Sequence, residues 1–552
     1  MNECVHLRSL KLVVFQTTIA VNSISAGEAA GADHLVLKPD SFSHYIERFN
    51  TMENENWTNF VSNADSWAWL RANIPFFECP DAEVEETYYF RWWSFRKHLR
   101  QTPDGFVFTE FLVPVRHAGI HNTISCAVGH HVAEARWLRN QRYVDDYILF
   151  WLRGHGGKPQ PHFHQYSSWF AAAVYDRDLV TPDAKFLVAI LEDLAADFQQ
   201  WEKERRLENG LFWQYDVRDG MEESISGARR EKNARPTINS YMFGNAQAIA
   251  AIARLAGRSD LANEYDRKAA EIKRLTQALL WDEEGKFFKV RSEKGQLSDA
   301  REAIGFVPWC FNLPDAATEA APGAAERSRN QTRLGETLVA PRNHFGQGIE
   351  TAWAQLMDPE GFCAPYGITT AERRHPKFRS HGCCGCEWDG AVWPFATSQT
   401  LTALANVLHE YRASTVTPRD YFEAFLTSVR SHRFQGKPYI GEYLDEMTGH
   451  WLKGAQERSR YYNHSTFADL LITGVIGLRP RADNQVEIHP LLPDRTWEWF
   501  CLDGVQYHGR SLTIVWDRDG KRYHRGQGLT VLADGKVITR SDRLGPVAGK
   551  LQ

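Results

Sequence analysis

The segment Tyr439-Ile440-Gly441-Glu442-Tyr443-Leu444-Asp445 fences a carboxylate between glycine and tyrosine, and a second acid-rich segment, Asp216-Val217-Arg218-Asp219-Gly220-Met221-Glu222-Glu223-Ser224, lies far upstream of it. Carboxyl groups on two distant, aromatic-flanked loops can divide acid–base work between them. One, protonated, gives its proton to a leaving oxygen; the other, ionised, draws a proton from water, and that pairing is the chemistry of glycosidic-bond hydrolysis. A donor that works near neutral pH needs poor solvation or a negative neighbour. Trp213, Tyr215 and Met221 supply apolar walls, and Asp216, Asp219 and Glu223 supply charge, so Glu222 is the expected acid with Asp219 as its rival. Glu442 is the expected base, with Asp445 and then Glu446 as rivals. Such a pair needs no cofactor. The plainer alternative is two solvated loops on a helical protein.

Other residues read as binders. Arg91-Trp92-Trp93 with Lys97 and His98, and Trp169 with His164, could wall a sugar subsite, since aromatic faces pack on the apolar faces of sugar rings. Arg373, Arg374 and His375 could meet an acidic substrate group or merely cover their loop, with Glu372 pairing with one of them. His162 and His164 read as loop histidines rather than metal ligands. Cys383, Cys384 and Cys386, beside His381 and Glu387, have the residue types that zinc prefers. Adjacent cysteine side chains diverge, however, so buried thiols are expected there, with zinc and a disulfide, for instance to Cys363, as the alternatives.

The elements that must position these groups are mostly helical. Phe186, Leu187, Ile190, Leu191, Leu194, Phe198 and Trp201 recur at spacings of three and four, as do Ala246, Ile249, Ile252, Ala253 and Leu255, and then Leu261, Tyr265, Ala269, Ile272, Leu275 and Leu279. Further helices are expected over 346–357, 393–410, 418–431 and 464–475. Amphipathic helices without a 20–50-residue sequence period suggest a helical toroid rather than a repeat solenoid. Asp315–Pro341 reads as a surface loop. Past residue 478 the pattern turns to short β-branched runs, Val486–Ile488, Val505–Tyr507, Leu512–Trp516, Leu529–Leu532 and Val537–Ile538, with Asp517–Gly520 and Ala533–Gly535 as turns. The expected division is an N-terminal stretch 1–33, an aromatic-rich part 34–180 of the main domain, a helical core 181–478 and a small antiparallel β-domain 479–552.

Composition sets the outer bounds. With 552 residues, 43% apolar and 24% charged, the chain has the make-up of a soluble globular enzyme. A formal net charge of −5 favours neither nucleic acid nor anionic membrane as partner. The 19 Trp, 19 Tyr and 31 Phe lean towards carbohydrate. Nine unevenly spaced cysteines do not form a disulfide framework. No apolar run is long enough to span a membrane. Arg8 and Lys11, then Leu12–Phe15 and Ile19–Val21, then the small residues Ser25–Ala32, follow the order of a secretory signal, interrupted at Gln16, Thr17 and Thr18. A periplasmic or secreted location is therefore favoured over a cytoplasmic one. Nothing in the chain sets an oligomeric state.

Residues 180–480 resemble the (α/α)6-barrel, or six-hairpin, glycosidases of the trehalase, mannosylglycerate hydrolase and processing α-glucosidase type. The resemblance rests on Gly220-Met221-Glu222-Glu223-Ser224, Pro236-Thr237-Ile238-Asn239, Phe362–Gly367, Trp388-Asp389-Gly390-Ala391-Val392-Trp393-Pro394, Gly441-Glu442-Tyr443 with Thr448-Gly449, and Tyr462-Asn463-His464-Ser465, in that order. It implies a mainly α fold, an (α/α)6 barrel with the C-terminal β-domain beside it, and exo-acting hydrolysis of oligo- or polysaccharide with inversion. It implies Glu222 as acid and Glu442 as base, and substrate contacts from Trp213, Asn239, Tyr366, Trp388, Asp389, Trp393, Tyr443 and His464. Two departures, Glu222 for the group's usual Asp and Asp389 where Arg is frequent, set the pocket apart from a standard trehalase or processing glucosidase. Cys383-Cys384 is similar in composition to the zinc-binding pair of the β-L-arabinofuranosidases with a cysteine nucleophile, which makes a Cys/Zn retaining glycosidase the second reading. A non-catalytic carbohydrate-binding protein and a polysaccharide lyase are the others.

Overall fold

Three helices start at a side-chain cap that the sequence offers. The computed structural model describes residues 35–315, 348–381, 385–411 and 415–552; the N-terminal stretch, most of the Asp315–Pro341 loop, and Cys383 and Cys384 lie outside the described residues. Among the described residues eleven α-helices run for two turns or more: α1 (Ser43–Asn50), α2 (Ser66–Asn73), α3 (Ala82–Lys97), α4 (Val128–Ala135), α5 (Arg142–Arg153), α6 (Phe170–Asp178), α7 (Ala184–Arg205), α8 (Pro236–Leu255), α9 (Ser259–Leu280), α10 (Pro394–Glu410) and α11 (Pro418–Ser431). The Asp81 carboxylate accepts the first free N–H groups of α3, and Asp183 does the same for α7. Thr417 and Asp420 form a reciprocal capping box on α11. Proline opens α8, α10 and α11, where its missing N–H costs nothing.

The helices divide into two kinds. α4, α6, α8 and α10 are buried on nearly every side and carry polar residues inward, among them Asn239, Ser240 and Asn245 on α8 and Thr397, Ser398 and Gln399 on α10. Most of those groups find partners across the helices or on the backbone: Gln399 donates to the Tyr241 hydroxyl at 2.6 Å, and Asn245 donates to the Ser168 carbonyl at 3.1 Å. α7, α9 and α11 instead bury one stripe and expose the other, as the three- and four-residue spacing predicts. α8 packs on α6, α7 and α9, and α10 on α11. One apolar core runs through the whole assembly.

Two of the expected helices take another form. Of 346–357, the described residues from 348 on give a short 3-10 helix, Ile349–Gln355, and 464–475 give one α-turn at Ala468–Leu470 running into a π-turn over Leu471–Val475. In the second case the buried Glu134 carboxylate on α4 accepts the N–H groups of Phe467, Ala468 and Asp469. The helix therefore begins at that cap, and the stretch from Tyr462 to Thr466 stays outside it.

The C-terminal strands form a five-stranded antiparallel sheet whose edge is supplied by Phe76–Glu78, followed by Trp499–Tyr507, Arg510–Asp517, Gly528–Ala533 and Lys536–Ser541. Phe76 pairs with Asp503, so the N-terminal part of the chain is stitched into the sheet. Leu478–Arg479, Gln485–Ile488 and Val547–Lys550 make a second, three-stranded sheet. No helix among the described residues is long and apolar enough to cross a membrane.

Candidate active site

Glu222 lies on the loop joining α7 to α8, and that loop is pinned from behind. The Asp219 carboxylate accepts the Arg235 Nε–H at 2.7 Å and the Thr237 hydroxyl, with Arg235 and Asp219 side chains both at 0% exposure. Three residues beyond Glu223, Ser226 donates to the buried Glu302 carboxylate. Between these two anchors the chain turns sharply: Glu223 sits at φ 66°, a left-handed conformation that costs a non-glycine residue on the order of 1 kcal/mol. Its carboxylate accepts the Cys386 N–H at 3.1 Å. A Cβ on Gly385 would lie 1.8 Å from that carboxylate, so a larger residue there would displace the Glu223 side chain from its present place. Burial pushes the Glu222 carboxyl up to about 7; Glu442 and Asp216 push the same way, against its own backbone N–H and Arg229. A carboxylic acid so placed holds its proton near neutral pH.

Glu442 follows Gly441 on the segment after α11. Its N–H donates to the Ser459 hydroxyl at 3.0 Å, and its carboxylate accepts Arg458 Nη2 at 3.0 and 2.8 Å, with Lys453 Nζ at 3.4 Å. Leu444 bridges to Val392 and to Trp451, which fixes the segment against the Trp388–Trp393 loop. The Tyr443 ring stacks on Trp393 at 4.7 Å and Trp393 on Trp388 at 4.5 Å, and the Tyr443 hydroxyl donates to the Gly385 carbonyl at 2.5 Å. Gly385 thus touches Glu223 on one side and Tyr443 on the other, and couples the two acid loops mechanically. The rivals for Glu442 are engaged elsewhere. Asp445 accepts the N–H and hydroxyl of Thr448 within its own turn, and Glu446 takes Arg379 at 2.6 Å.

Several groups in this cluster escaped the sequence reading. Glu110 follows the hairpin strand Gly105–Phe108 and is buried; Tyr462 donates to its Oε1 at 2.7 Å. Burial drives the Glu110 carboxyl well above the usual carboxylate range, and the charges of Glu442 and Glu222 add to the rise. The Cys126 thiol lies 4.0 Å from Glu110 Oε2. Cys386 takes a contact from Lys453 Nζ at 3.7 Å, and burial, followed by the field of Glu222, pushes its thiol up to about 12. Burial lowers His117, as does Arg458 beside it. Arg458 and Lys453, the cations on Glu442, were not singled out either. One signal was available: Glu110 is a lone acid inside the apolar run Phe106-Val107-Phe108-Thr109-Glu110-Phe111-Leu112, and a buried carboxyl needs a reason.

The other sequence candidates separate into neighbours of the cluster and core residues. His464 is a neighbour: its Nε2 lies 3.2 Å from the Glu442 carbonyl and its ring 4.2 Å from that of Tyr462. Trp388, Trp393 and Tyr443 form a buried pillar under Glu442. Asp389 is buried and bonded to His381 at 2.9 Å. Trp213 packs on Tyr215 beside the acid loop, with Arg205 over its ring. Asn239 clamps the Phe212 backbone through both amide atoms, and Tyr366 packs against Gly449. Trp169 is wedged between Gly129, His130 and Tyr241. Arg91 and Trp92 are core residues of α3: Trp92 packs edge-on against Tyr88 and Phe95, and Arg91 reaches the Ser465 carbonyl. Glu372 pairs chiefly with Arg301, at 2.7 Å, while Arg373 and Arg374 tie down their own loop. His164 is bonded to Asp197 at 2.6 Å. Among the described residues no group of three His, Cys, Asp or Glu is placed to hold a metal ion, and Cys363 is a free thiol.

The model of the mannosylglycerate hydrolase MGH1-like glycoside hydrolase domain matches residues 120–345 and 338–465, a span that contains Glu222 and Glu442. The chain belongs to this family. It carries a glycoside hydrolase domain, and the C-terminal domain of glycosyl hydrolase family 65 matches residues 478–540, where the antiparallel sheet lies. Among solved structures, the MGH1-like chain is 48% identical to a protein named sialidase, with a TM-score of 0.87 over 93% of this chain and 45% of that one. It therefore spans a little under half the length of that protein. A GH78 family rhamnosidase of a Bacillus species aligns at 13% identity and TM-score 0.54, covering 80% of this chain and 40% of the other, a likeness of fold alone. A GH63 mannosylglycerate hydrolase from Thermus thermophilus aligns at 14% identity and TM-score 0.44, over 63% of this chain and 91% of its own.

Proposed function

We propose that this glycoside hydrolase cleaves terminal sugars from an oligo- or polysaccharide by a single displacement with inversion, with Glu222 as general acid and Glu442 as general base. The observation that carries this reading is the opposite treatment of the two carboxyls within one cluster. Glu222 is half-buried, has no cation in hydrogen-bonding contact among the described residues and is pushed up to about 7, while the buried Glu442 side chain is paired with Arg458 and Lys453. A carboxyl that holds its proton beside one paired with cations is how one site runs acid and base chemistry at the same pH. Asp219 is held in its buried ion pair with Arg235, which supports a role in placing the acid loop rather than in proton transfer. The alternation of buried α4, α6, α8 and α10 with half-exposed α7, α9 and α11 supports closure of the helices into an (α/α)6 barrel, with the site at one mouth. The chemistry uses only these side chains and water.

In the proposed step Glu222 gives its proton to the glycosidic oxygen as the C1–O bond breaks, and water attacks C1 from the other face while its proton passes to Glu442. The sugar is open. The names of the similar proteins put α-sialosides, α-mannosides and α-rhamnosides first in a test panel. The panel consists of mannosylglycerate, 4-nitrophenyl α-D-mannoside, α-D-glucoside and α-L-rhamnoside, and 4-methylumbelliferyl α-sialoside. It is run with wild type, Glu222→Gln and Glu442→Gln. Loss of turnover by about 10²-fold or more in both variants is expected; turnover that survives both changes refutes the assignment.

A further inference from the structure

The two-carboxylate reading leaves one built feature of the site without a task, the buried Tyr462–Glu110 pair. Its geometry is fixed from both strands of chain. Asn463 N–H donates to the Glu110 carbonyl at 2.9 Å, and its side-chain amide donates to the Thr109 carbonyl at 3.1 Å. The Tyr462 ring is held edge-on by Phe111 at 4.8 Å and by His464 at 4.2 Å, and His464 in turn contacts the Glu442 backbone. The phenol spends its one proton on Glu110, and among the described residues no donor hydrogen-bonds back to its oxygen. The lone pairs of that oxygen are thus left over in the region where the fields of Glu222, Glu442 and Arg458 overlap. A pair that served packing alone would not need a carboxyl placed beside two others without a cation of its own.

We infer that Tyr462 is a further catalytic residue, whose oxygen, oriented by Glu110, faces the ring oxygen and C1 of the bound sugar and stabilises the positive charge that develops there. No bond to Tyr462 forms and none breaks. Its O–H stays directed at Glu110, so the negative end of the dipole points away from Glu110 before the reaction begins, and preorganised dipoles of this kind act mainly on the transition state. Glu110 is a positioning residue: it acts on the sugar only by turning the phenol. With its carboxyl pushed well up by burial, the pair carries little net charge and does not disturb the proton on Glu222.

The inference rests on the acid–base assignment above, and the experiment separates the two. On whichever glycoside of the named panel wild type cleaves fastest, kcat and KM are measured for Tyr462→Phe, Glu110→Gln, Glu110→Met and the double variant Tyr462→Phe/Glu110→Met, alongside Glu222→Gln and Glu442→Gln. Tyr462→Phe is expected to lower kcat on the order of 10²-fold, with KM changed less than about threefold. Glu110→Gln, which keeps an acceptor for the phenol, should retain most of the activity. Glu110→Met should approach the phenylalanine variant, and the double variant should be no worse than Tyr462→Phe alone. A Tyr462→Phe enzyme with wild-type kcat overturns the inference while leaving the carboxylates untouched. Equal losses in kcat and kcat/KM that simply add across the double variant overturn the link to Glu110. Normal activity of Glu222→Gln and Glu442→Gln overturns the acid–base reading, whatever Tyr462 does. A product of retained configuration, with a sugar adduct on Tyr462 detected by mass spectrometry, overturns both.

Discussion

Replacing Glu222 by Gln should make the stability of the protein less dependent on pH, and the effect can be measured without knowing the substrate. Burial, together with Glu442 and Asp216, raises the carboxyl from its ordinary 4.5 to about 7. At 1.36 kcal/mol per pH unit, that rise is a preference for the protonated form of at most about 3.4 kcal/mol. Between pH 4.5 and 7 the folded protein binds more protons at this group than the unfolded chain does, so the stability it contributes is complete below pH 4.5 and lost as pH rises through 7. Glutamine has the shape of the protonated acid and does not titrate. Wild type minus Glu222→Gln should therefore fall by up to about 3 kcal/mol between pH 4 and 8, and then level off. Buried carboxyls outside the field of Glu222, such as Glu134, titrate in both proteins and cancel in the difference, while Glu110, which feels the Glu222 charge, adds a smaller contribution of its own. Urea unfolding followed by tryptophan fluorescence at pH 4, 5, 6, 7 and 8 gives that difference directly. A difference that stays flat within about 0.5 kcal/mol across this range would mean that Glu222 is as well hydrated as an ordinary surface acid, and the basis for naming it the acid would be gone.

Two further changes test the scaffold. Arg235→Met leaves Asp219 as a buried charge with only Thr237 for company and should cost about 3–5 kcal/mol, of which Asp219→Asn/Arg235→Met recovers a large part; equal costs for the single and double variants in urea melts would show that the pair is not coupled. Trp92→Ala, at a fully buried site, should cost about 3–5 kcal/mol. At temperatures where the variant remains folded its KM for a cleaved glycoside should match wild type, and a raised KM would return Trp92 to the sugar pocket.

The periodic parts of the fold were legible because their physics is local. The spacing at Phe186–Trp201 is a helix stripe and nothing else, and α10 and α11 fall on the expected 393–410 and 418–431 almost to the residue. The hairpin turn at Ala533–Gly535 follows from its residue types in the same way. What could not be read locally is long-range. The edge strand Phe76–Glu78 joins strands that lie more than 400 residues later, and the start of the last helix is set by Glu134 on α4. In the candidate site the two acid loops were legible as loops, because glycine and aromatic residues mark them. The cations on Glu442 were not, since Arg458 and Lys453 look like any solvated pair until the chain folds back. Arg91 and Trp92 misled for the converse reason: an Arg-Trp-Trp run has the residue types of a sugar wall, but on α3 it is turned into the core, where Arg91 finds the Ser465 carbonyl. Glu110 and Tyr462 are separated by most of the chain and became visible as a pair only in three dimensions.

The measurement that bears most directly on the central claim is the configuration of the sugar at the moment of release. Wild-type protein is mixed in deuterated buffer with the glycoside it cleaves fastest, and the anomeric proton of the product is followed by NMR before mutarotation scrambles it. Single displacement by a water activated at Glu442 predicts that the first product has the opposite configuration to the substrate. First product of the same configuration would require a covalent intermediate, and the roles given to Glu222 and Glu442 as an inverting pair would be contradicted.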